Sequence, residues 1–314
     1  NTNNIPNFLP NPNLKPELME EIETGIEGKF FQSRLSTDIT FYQRVSNDQI
    51  LFRALDPSTG YTTQQINAGK VTNKGIEAQI AYKIIRNKDW VWEVTGNYTL
   101  NESLVSDIPT DLKEILYAGY TTLGNFAING QPLGIIKGYQ FQRYSDGQLL
   151  VGAGGDYLAS TTIGIIGDPN PKYRLSGINS VTYKSLTFRF QVDYTCGGDM
   201  YSSTARSLLA RGVTKDTEFD RSAPYILPGV TADGKPNNQQ VSATQGYFNN
   251  VFGPDQSGIF DATVVRLRDM SLSYALPEKL LSKTPFGGVS ITANGSNLWY
   301  YAPNFPKYMN FDPE

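Results

Sequence analysis

The 314-residue sequence contains no histidine and only one cysteine, Cys196. The lack of histidine excludes histidine-based catalytic triads, imidazole acid–base catalysis and histidine metal sites. A single cysteine excludes an internal disulfide framework and a cysteine zinc site. Basic and acidic residues number 27 and 30, whereas a nucleic-acid-binding domain usually has a basic excess, so we expect no nucleic-acid partner. The sequence shows no catalytic, cofactor-binding or metal-binding constellation, and it predicts a protein that is not an enzyme.

Long apolar runs are also lacking. No stretch of about 18 consecutive apolar residues occurs, so the sequence predicts no transmembrane helix. The chain begins at Asn1 without a signal-peptide pattern and ends at Glu314, directly after a run rich in tyrosine and proline. We therefore expect this sequence to be a piece of a longer polypeptide.

The dominant pattern is an alternation of apolar and polar residues with a period of two. In the segment 186–196, for example, Leu186 and Phe188 share one face while Arg189 and Gln191 share the other. Each alternating run spans roughly 10–12 residues, which suits a tilted strand that crosses a bilayer, whereas strands of soluble proteins average about 5–6 residues. The pattern predicts β-strands with one apolar and one wet face.

The alternating runs predict eight membrane-crossing strands, joined alternately by short turns and long polar loops. Short turns at one rim and long loops at the other are typical of outer-membrane barrels. The expected strands lie near residues 21–31, 34–45, 74–85, 90–101, 172–184, 186–196, 259–275 and 288–299. The expected long extracellular loops are 47–73, 103–171 and 197–258.

Four local signals refine this assignment. A change of phase in the seventh strand predicts a β-bulge near Arg268-Asp269. Segment 133–151 has a hairpin signal at Asp146-Gly147 and is expected to rise above the barrel on the long-loop side. Segment 276–281 has a proline near its start and predicts one helical turn. The loop 197–258 shows no helix or sheet of its own, which is typical of functional or disordered loops.

Aromatic and charged residues indicate which face of the strands points to the lipid and which points to the lumen. Aromatic residues make up 12% of the chain and cluster at the ends of the predicted strands, as in the girdles at membrane interfaces. A lysine or arginine at mid-depth on the lipid face costs about 2–4 kcal/mol, so the charged face must point to the lumen. Charges such as Glu93 and Arg189 hydrate readily but do not pack into a dry core. The eight strands are therefore expected to be part of a wide barrel.

Short motifs spread over nearly all of the chain match one known family in their order and spacing. They are Asn13-Leu14-Lys15-Pro16-Glu17, Glu23-Thr24-Gly25, Asn67-Ala68-Gly69, Asn73-Lys74-Gly75-Ile76-Glu77, Gly167-Asp168-Pro169-Asn170-Pro171, Gly197-Gly198, Arg266-Leu267-Arg268-Asp269-Met270-Ser271-Leu272-Ser273-Tyr274 and Asn297-Leu298. In these motifs the chain resembles the C-terminal barrel part of the SusC-like TonB-dependent outer-membrane transporters of Bacteroidota.

The resemblance implies an all-β fold: an antiparallel transmembrane β-barrel of 22 strands, of which this chain supplies a C-terminal portion without the plug domain. It implies import of oligosaccharides or peptides across the bacterial outer membrane, with a SusD-like lipoprotein closing the extracellular mouth. It also implies energy coupling to TonB through the N-terminal part, and contact with the remaining barrel strands, the plug and membrane lipid. No functional residue of the family can be carried over, because the energy-coupling motifs lie outside this sequence.

Substrate contacts are expected from aromatic residues of the long loops and from charged residues of the lumen. Aromatic rings stack on sugar faces or peptide side chains, and polar groups orient hydroxyls or amides. The candidates are Tyr61, Arg174, Arg189, Asp193, Tyr201, Tyr225, Tyr247, Phe248 and Phe252. The loop 197–258 is the expected docking surface for the lid lipoprotein.

Two other functions remain open from the sequence. One is a soluble all-β protein that binds carbohydrate or mediates adhesion, and it would pack its apolar faces together in a sandwich. The other is an outer-membrane barrel enzyme with a serine, aspartate or glutamate site in the lumen, which the lack of histidine makes the weaker alternative.

Overall fold

Eight long antiparallel strands form one continuous sheet in the computed structural model, which describes residues 8–309 and 311–313. The strands follow one another in chain order across the sheet. They are β1 (Leu18–Phe30), β2 (Leu35–Asn47), β3 (Lys70–Arg86), β4 (Trp90–Ser106), β5 (Tyr173–Tyr183), β6 (Leu186–Cys196), β7 (Val264–Ala275) and β8 (Ser290–Tyr301). Each of the eight predicted strands overlaps one of these, so the predicted antiparallel all-β fold is confirmed.

The connections alternate strictly between the two rims of the sheet. The short-turn rim carries 31–34, 87–89, 184–185 and 276–289, and the long-loop rim carries 48–69, 107–172 and 197–263. Phe31, Gln32 and Ser33 all have positive φ, a left-handed backbone that turns the chain sharply between β1 and β2. The predicted helical turn is confirmed at Glu278–Leu281, directly after Pro277.

The apolar face of the sheet is exposed. Cross-strand register keeps apolar residues in rows, as where Phe188 pairs with both Val181 and Leu272. The exposed fractions of Ile26 and Ile80 are 71% and 47%. A soluble sandwich would bury such a face against a second sheet, so the sandwich alternative is not supported by this structure. Helices in the described residues extend over at most eight residues, which is too short to span a bilayer.

The predicted bulge in β7 is confirmed and has a consequence for the lumen. Gln191 pairs with Asp269 and Val192 pairs with Leu267, which leaves Arg268 as the extra residue. The bulge sends the Arg268 side chain to the polar face, where its Nε lies 2.9 Å from Oδ2 of Asp193. A local insertion in the strand thereby adds a charged group to the inner wall.

The long loops are folded. In the first, Ile50–Ala54 pairs with Thr63–Asn67, which also pairs with Phe8–Leu9, and a 3₁₀ turn spans Pro57–Thr59. The second holds a four-stranded sheet in the order Ala159–Gly167, Ile135–Phe141, Gly124–Ile128 and Glu114–Gly119. Above the barrel, Tyr144 N–H donates to the Gln148 carbonyl at 2.8 Å, which confirms the hairpin predicted in 133–151.

The third long loop contradicts the expectation that it lacks secondary structure. It contains helices α1 (Ser203–Ala210) and α2 (Gln245–Val251), with 3₁₀ turns at Lys215–Thr217 and Asp255–Gly258. Asp199–Tyr201 pairs with Ile259–Asp261, and Pro224–Tyr225 pairs with Val241–Ser242.

The buried apolar clusters lie at the long-loop rim. In one, Ile108 and Ile115 of the second loop pack with Val105 of β4. In the other, Ala205 and Leu209 of α1 pack with Met309. The loops are thus held by small cores of their own, while the wide sheet below them presents its apolar face outward and its polar face inward.

Candidate ligand-binding surfaces

A cleft of about 680 Å³ opens on the polar face of the sheet, close to the long-loop rim. Strands β4 to β7 supply its floor, and the second and third loops supply its upper edge. Its polar lining includes Asn97, Thr99, Arg174, Asp193, Arg266 and Arg268. Because the sheet alternates with a period of two, these side chains share one face while the aliphatic residues between them point outward.

Asp193 is the centre of a cross-strand hydrogen-bond network in this cleft. Its Oδ1 accepts from Ser176 Oγ at 2.7 Å and from Gln191 Nε2 at 2.9 Å. Its Oδ2 accepts from Arg268 Nε at 2.9 Å, and Arg268 also donates to Asn297 Oδ1 at 3.1 Å. The carboxylate is therefore held in place and largely neutralised by its own neighbours.

The two other predicted luminal residues differ in position. Arg174 lines the cleft and is exposed. Arg189 is also exposed on the polar face, but it lies further toward the short-turn rim, where it pairs in register with Ser180 and Ser271. The structure therefore brings Arg174 and Asp193 together and leaves Arg189 outside the cleft.

A fourth charged group of the cleft, Arg266, is buried, with 4% of its surface exposed. Its guanidinium forms an ion pair with Asp312, on the segment that follows β8. Phe305 of the same segment packs against Phe260 in a tilted arrangement, with ring centroids 4.9 Å apart. This segment therefore folds back over the rim, and Pro313 contributes to the edge of the cleft.

Three of the predicted aromatic residues meet in one cluster of the third loop. The ring centroids of Tyr225 and Tyr247 are 6.0 Å apart, and those of Tyr247 and Phe248 are 5.2 Å apart. Phe219 joins them, with its centroid 4.8 Å from that of Tyr225. Phe248 is only 1% exposed, so its ring supports the two half-exposed tyrosines from below. This group of four rings is called the loop aromatic cluster below.

A glycine makes room for the loop aromatic cluster. Gly212 has a φ of +64°, and a Cβ at this position would lie 2.8 Å from the Phe248 ring. The Arg221 guanidinium lies 5.0 Å from the centre of the same ring, within the range of a cation–π contact. Both features fix Phe248 in place.

Tyr201 and Phe252 both contact Arg206, in a second packed region of the third loop. Arg206 donates to the Tyr201 hydroxyl at 3.2 Å and to the Phe252 carbonyl at 3.1 Å. The Phe252 ring packs against the cluster around Ala205. Tyr61 lies apart from all of these, in the first loop, so the candidates form a luminal group and a loop group rather than one site.

We expect the loop aromatic cluster to lose stability in alkali. Burial raises the pKa of the Tyr247 phenol, and the neighbouring Tyr225 adds a smaller effect in the same direction. A raised pKa means that the folded loop favours the neutral phenol, so this stabilisation is present below pH about 10 and is lost as the pH rises above it. In the full-length protein, Tyr247→Phe should reduce the fall of the unfolding midpoint between pH 8 and pH 11.

The matched control for this substitution is Tyr120→Phe, at a hairpin tip where the tyrosine is 77% exposed. It should leave the alkaline fall unchanged. Equal effects of the two substitutions would show that burial of Tyr247 plays no part.

Sequence patterns did not predict the following members of these surfaces: Phe219, Ser176, Gln191, Arg266 and Arg268. The two arginines lie in the segment 266–274, whose change of phase was visible in the sequence. Phe219 carries no such signal, because it follows no alternating pattern and its contact with the buried Phe248 joins two separate parts of the loop.

Comparison with known proteins identifies similar chains. A family model described as TonB dependent receptor-like, beta-barrel matches residues 1–298. TonB-dependent receptor P3 of Formosa agariphila is 26% identical, with 97% of this chain and 31% of the relative covered. TonB-dependent receptor SusC of Bacteroides thetaiotaomicron is 22% identical, with coverage of 97% and 30%.

Among solved structures, the RagAB peptide importer in the closed-closed state is similar in fold. The TM-score is 0.70 at 21% identity, covering 96% of this chain and 33% of that one. The chain thus spans about a third of the length of the curated relatives it matches.

Proposed function

The chain belongs to the TonB-dependent receptor-like β-barrel family and is part of an outer-membrane β-barrel, and from this premise we propose that it forms a wall of a SusC-like nutrient importer. The observation that carries the proposal is the arrangement of the sheet. An apolar outer face, a charged inner face and long folded loops gathered at one rim are the features of a barrel that encloses an aqueous pathway.

The imported ligand is an oligosaccharide or a peptide that enters from the long-loop rim. Tyr61, Tyr201, Tyr225 and Tyr247 offer ring faces in the extracellular loops. Phe248 and Phe252 act indirectly, because their rings hold the loop in shape. Arg174, Arg189 and Asp193 then present hydrogen-bonding groups along the inner wall.

A SusD-like lipoprotein closes the extracellular mouth by docking on the third loop. This loop exposes apolar side chains that its own cores leave uncovered: Val213 is 65% exposed and Ile226 is 50% exposed. Exposed apolar residues on a folded loop are suited to the centre of a protein–protein interface. Energy comes from TonB, through a part of the transporter outside this sequence, and the ligand passes chemically unchanged.

The test is nutrient depletion by cells that produce the full-length protein. Mixtures of oligosaccharides and peptides are offered, and the medium is analysed by mass spectrometry. We expect loss of specific compounds from the medium in the parent strain, and no such loss when the gene or TonB is deleted. Depletion that is the same in all three strains would contradict an importing function, and release of cleaved products by the purified protein would contradict simple transport.

A further inference from the structure

Basic residues are concentrated in the turns of the short-turn rim. The four turns contain five basic residues and two acidic ones: Arg34, Lys88, Asp89, Lys184, Glu278, Lys279 and Lys283. In each of the three long loops, by contrast, acidic residues outnumber basic ones. The two rims of the sheet therefore carry opposite net charges, and the short-turn rim attracts anions.

Three of these turns are neighbours along the rim. Lys184 N–H donates to the Asp89 carbonyl at 2.7 Å, so the turn between β5 and β6 lies against the turn between β3 and β4. Ala275 N–H donates to the Ser185 carbonyl at 2.9 Å, which brings the start of the turn between β7 and β8 to the other side. Neighbouring strands lie about 4.8 Å apart, so the turns that hold Lys88 and Lys184 are centred about 10 Å apart. Both lysine side chains are exposed, and they are long enough to reach a group placed between the two turns.

Two aromatic rings place this charge on the outer side of the rim. Trp90 and Tyr183 are register partners at the ends of β4 and β5, and their ring centroids lie 4.4 Å apart. Tyr183 shares the apolar outer face with Val181, two residues before it. Lys184 Nζ lies 5.2 Å from the centre of the Tyr183 ring, within the range of a cation–π contact. The ammonium group therefore lies beside the rings that face lipid, at the level where aromatic residues meet lipid headgroups.

The turns also expose large apolar side chains. Phe31 is 73% exposed, Leu280 is 66% exposed and Phe286 is 62% exposed. Apolar and basic residues side by side are typical of a segment that lies in the interface of a membrane, where the apolar groups enter the headgroup region and the cations meet anionic lipid. The composition of the short-turn rim therefore fits a lipid surface better than it fits open solvent.

We propose that this stretch of the short-turn rim binds the headgroups of anionic phospholipids in the periplasmic leaflet of the outer membrane, with Lys88 and Lys184 holding the phosphate. Short turns lie on the periplasmic side of outer-membrane barrels. Each ammonium donates charge-assisted hydrogen bonds to phosphate oxygens, and the acyl chains follow the apolar face of β4 and β5. A zwitterionic headgroup carries its own ammonium, which the lysines repel, so it binds more weakly. A soluble phosphate would make no use of the exposed rings.

The test is native mass spectrometry of the full-length protein in detergent, with equal amounts of dioleoyl phosphatidylglycerol and dioleoyl phosphatidylcholine added. We expect phosphatidylglycerol to be bound in preference to phosphatidylcholine. The preference should fall as ammonium acetate is raised from about 0.1 M to about 1 M, because salt screens exposed charges. This measurement uses the unaltered protein and does not depend on any substitution.

A double substitution locates the site. Lys88→Gln together with Lys184→Gln should lower the preference for phosphatidylglycerol about tenfold or more, since each lysine near a membrane surface contributes about fivefold to the binding of anionic lipid. Binding of phosphatidylcholine should be unchanged. The matched control is Lys74→Gln together with Lys113→Gln, which removes two exposed lysines toward the opposite rim and the same amount of charge. It should leave the preference unchanged.

Equal binding of the two lipids, or the same loss in the control pair, would overturn the proposal. Displacement of phosphatidylglycerol by an equal concentration of glycerol 1-phosphate would show a site for a soluble anion and would also overturn it. A preference retained after Lys88→Gln and Lys184→Gln would leave these lysines for another occupant, such as a periplasmic protein, with the same consequence. The lipid site is independent of the imported nutrient, so none of these results bears on the import function.

Discussion

Replacing Ile80 with arginine is expected to destabilise the folded transporter in a bilayer by about 2–4 kcal/mol, because the guanidinium would lie on the lipid face near mid-depth. Ile80 lies near the middle of β3, and its side chain is 47% exposed on the apolar face. Its register partners are Thr37 and Gly96, and neither carries a charge that could pair with an arginine. The measurement is urea-induced unfolding of the full-length protein in lipid vesicles.

The matched control is Ala81→Arg, the adjacent residue on the opposite face. Ala81 lies on the inner wall beside Ser36 and Thr95, where an arginine can remain hydrated. We expect this substitution to change the unfolding free energy by far less than Ile80→Arg does. Equal losses for the two variants would contradict a difference between the faces, and a larger loss for Ala81→Arg would reverse the assignment of the outer and inner faces.

Removal of residues 203–257 is expected to abolish capture of the lid lipoprotein while leaving the barrel in the outer membrane. Tyr201 and Ile259 are register partners across a short antiparallel ladder, so a linker of about four glycine and serine residues can close the gap. The eight long strands pair with one another without this segment. Co-purification of the lipoprotein with the tagged full-length transporter is the measurement.

A comparable deletion in the first loop is the control. Ile50 and Asn67 are register partners, so residues 51–66 can be replaced by a short turn in the same way. This variant should retain the lipoprotein. If the lipoprotein still co-purifies after loss of 203–257 but not after loss of 51–66, the docking surface lies in the first loop instead.

Substitutions of single residues refine the deletion experiment. Val213→Asp and Ile226→Asp place a charge on the most exposed apolar positions of the third loop without touching its buried clusters. Each should weaken the complex about tenfold or more if these residues lie in the desolvated centre of the interface, since such positions carry most of the binding energy.

The sheet could be predicted because its information is local in the sequence. Alternation in 186–196 determines which side chains share a face of β6. The length of each alternating run indicates that the strand is long enough to cross a bilayer. The bulge at Arg268 could also be predicted, since one extra residue shifts the alternation visibly. For these features, each strand contains its own signal.

The folded third loop could not be predicted in the same way. Local helix signals exist: Ser202 accepts the Ala205 N–H at 3.2 Å, and Thr244 accepts the Tyr247 N–H at 3.4 Å. Helices of seven or eight residues are not stable alone, however. Helix α1 is stabilised where Ala205 and Leu209 pack against Met309, about a hundred residues away in the chain, and α2 is stabilised where Phe248 packs against Phe219.

The all-β class, the two faces of the strands and the alternation of short turns with long loops could therefore be predicted, because these depend on side-chain order along the chain. Which residues come into contact depends on how the strands and loops pack. Glu77, Thr99 and Arg174 share a row only through the register of three strands, and Phe219 reaches Tyr225 and Phe248 only through the path of the loop. Strands β4 and β5 are joined only through the long second loop, so the register between them is set by contacts between segments distant in the chain.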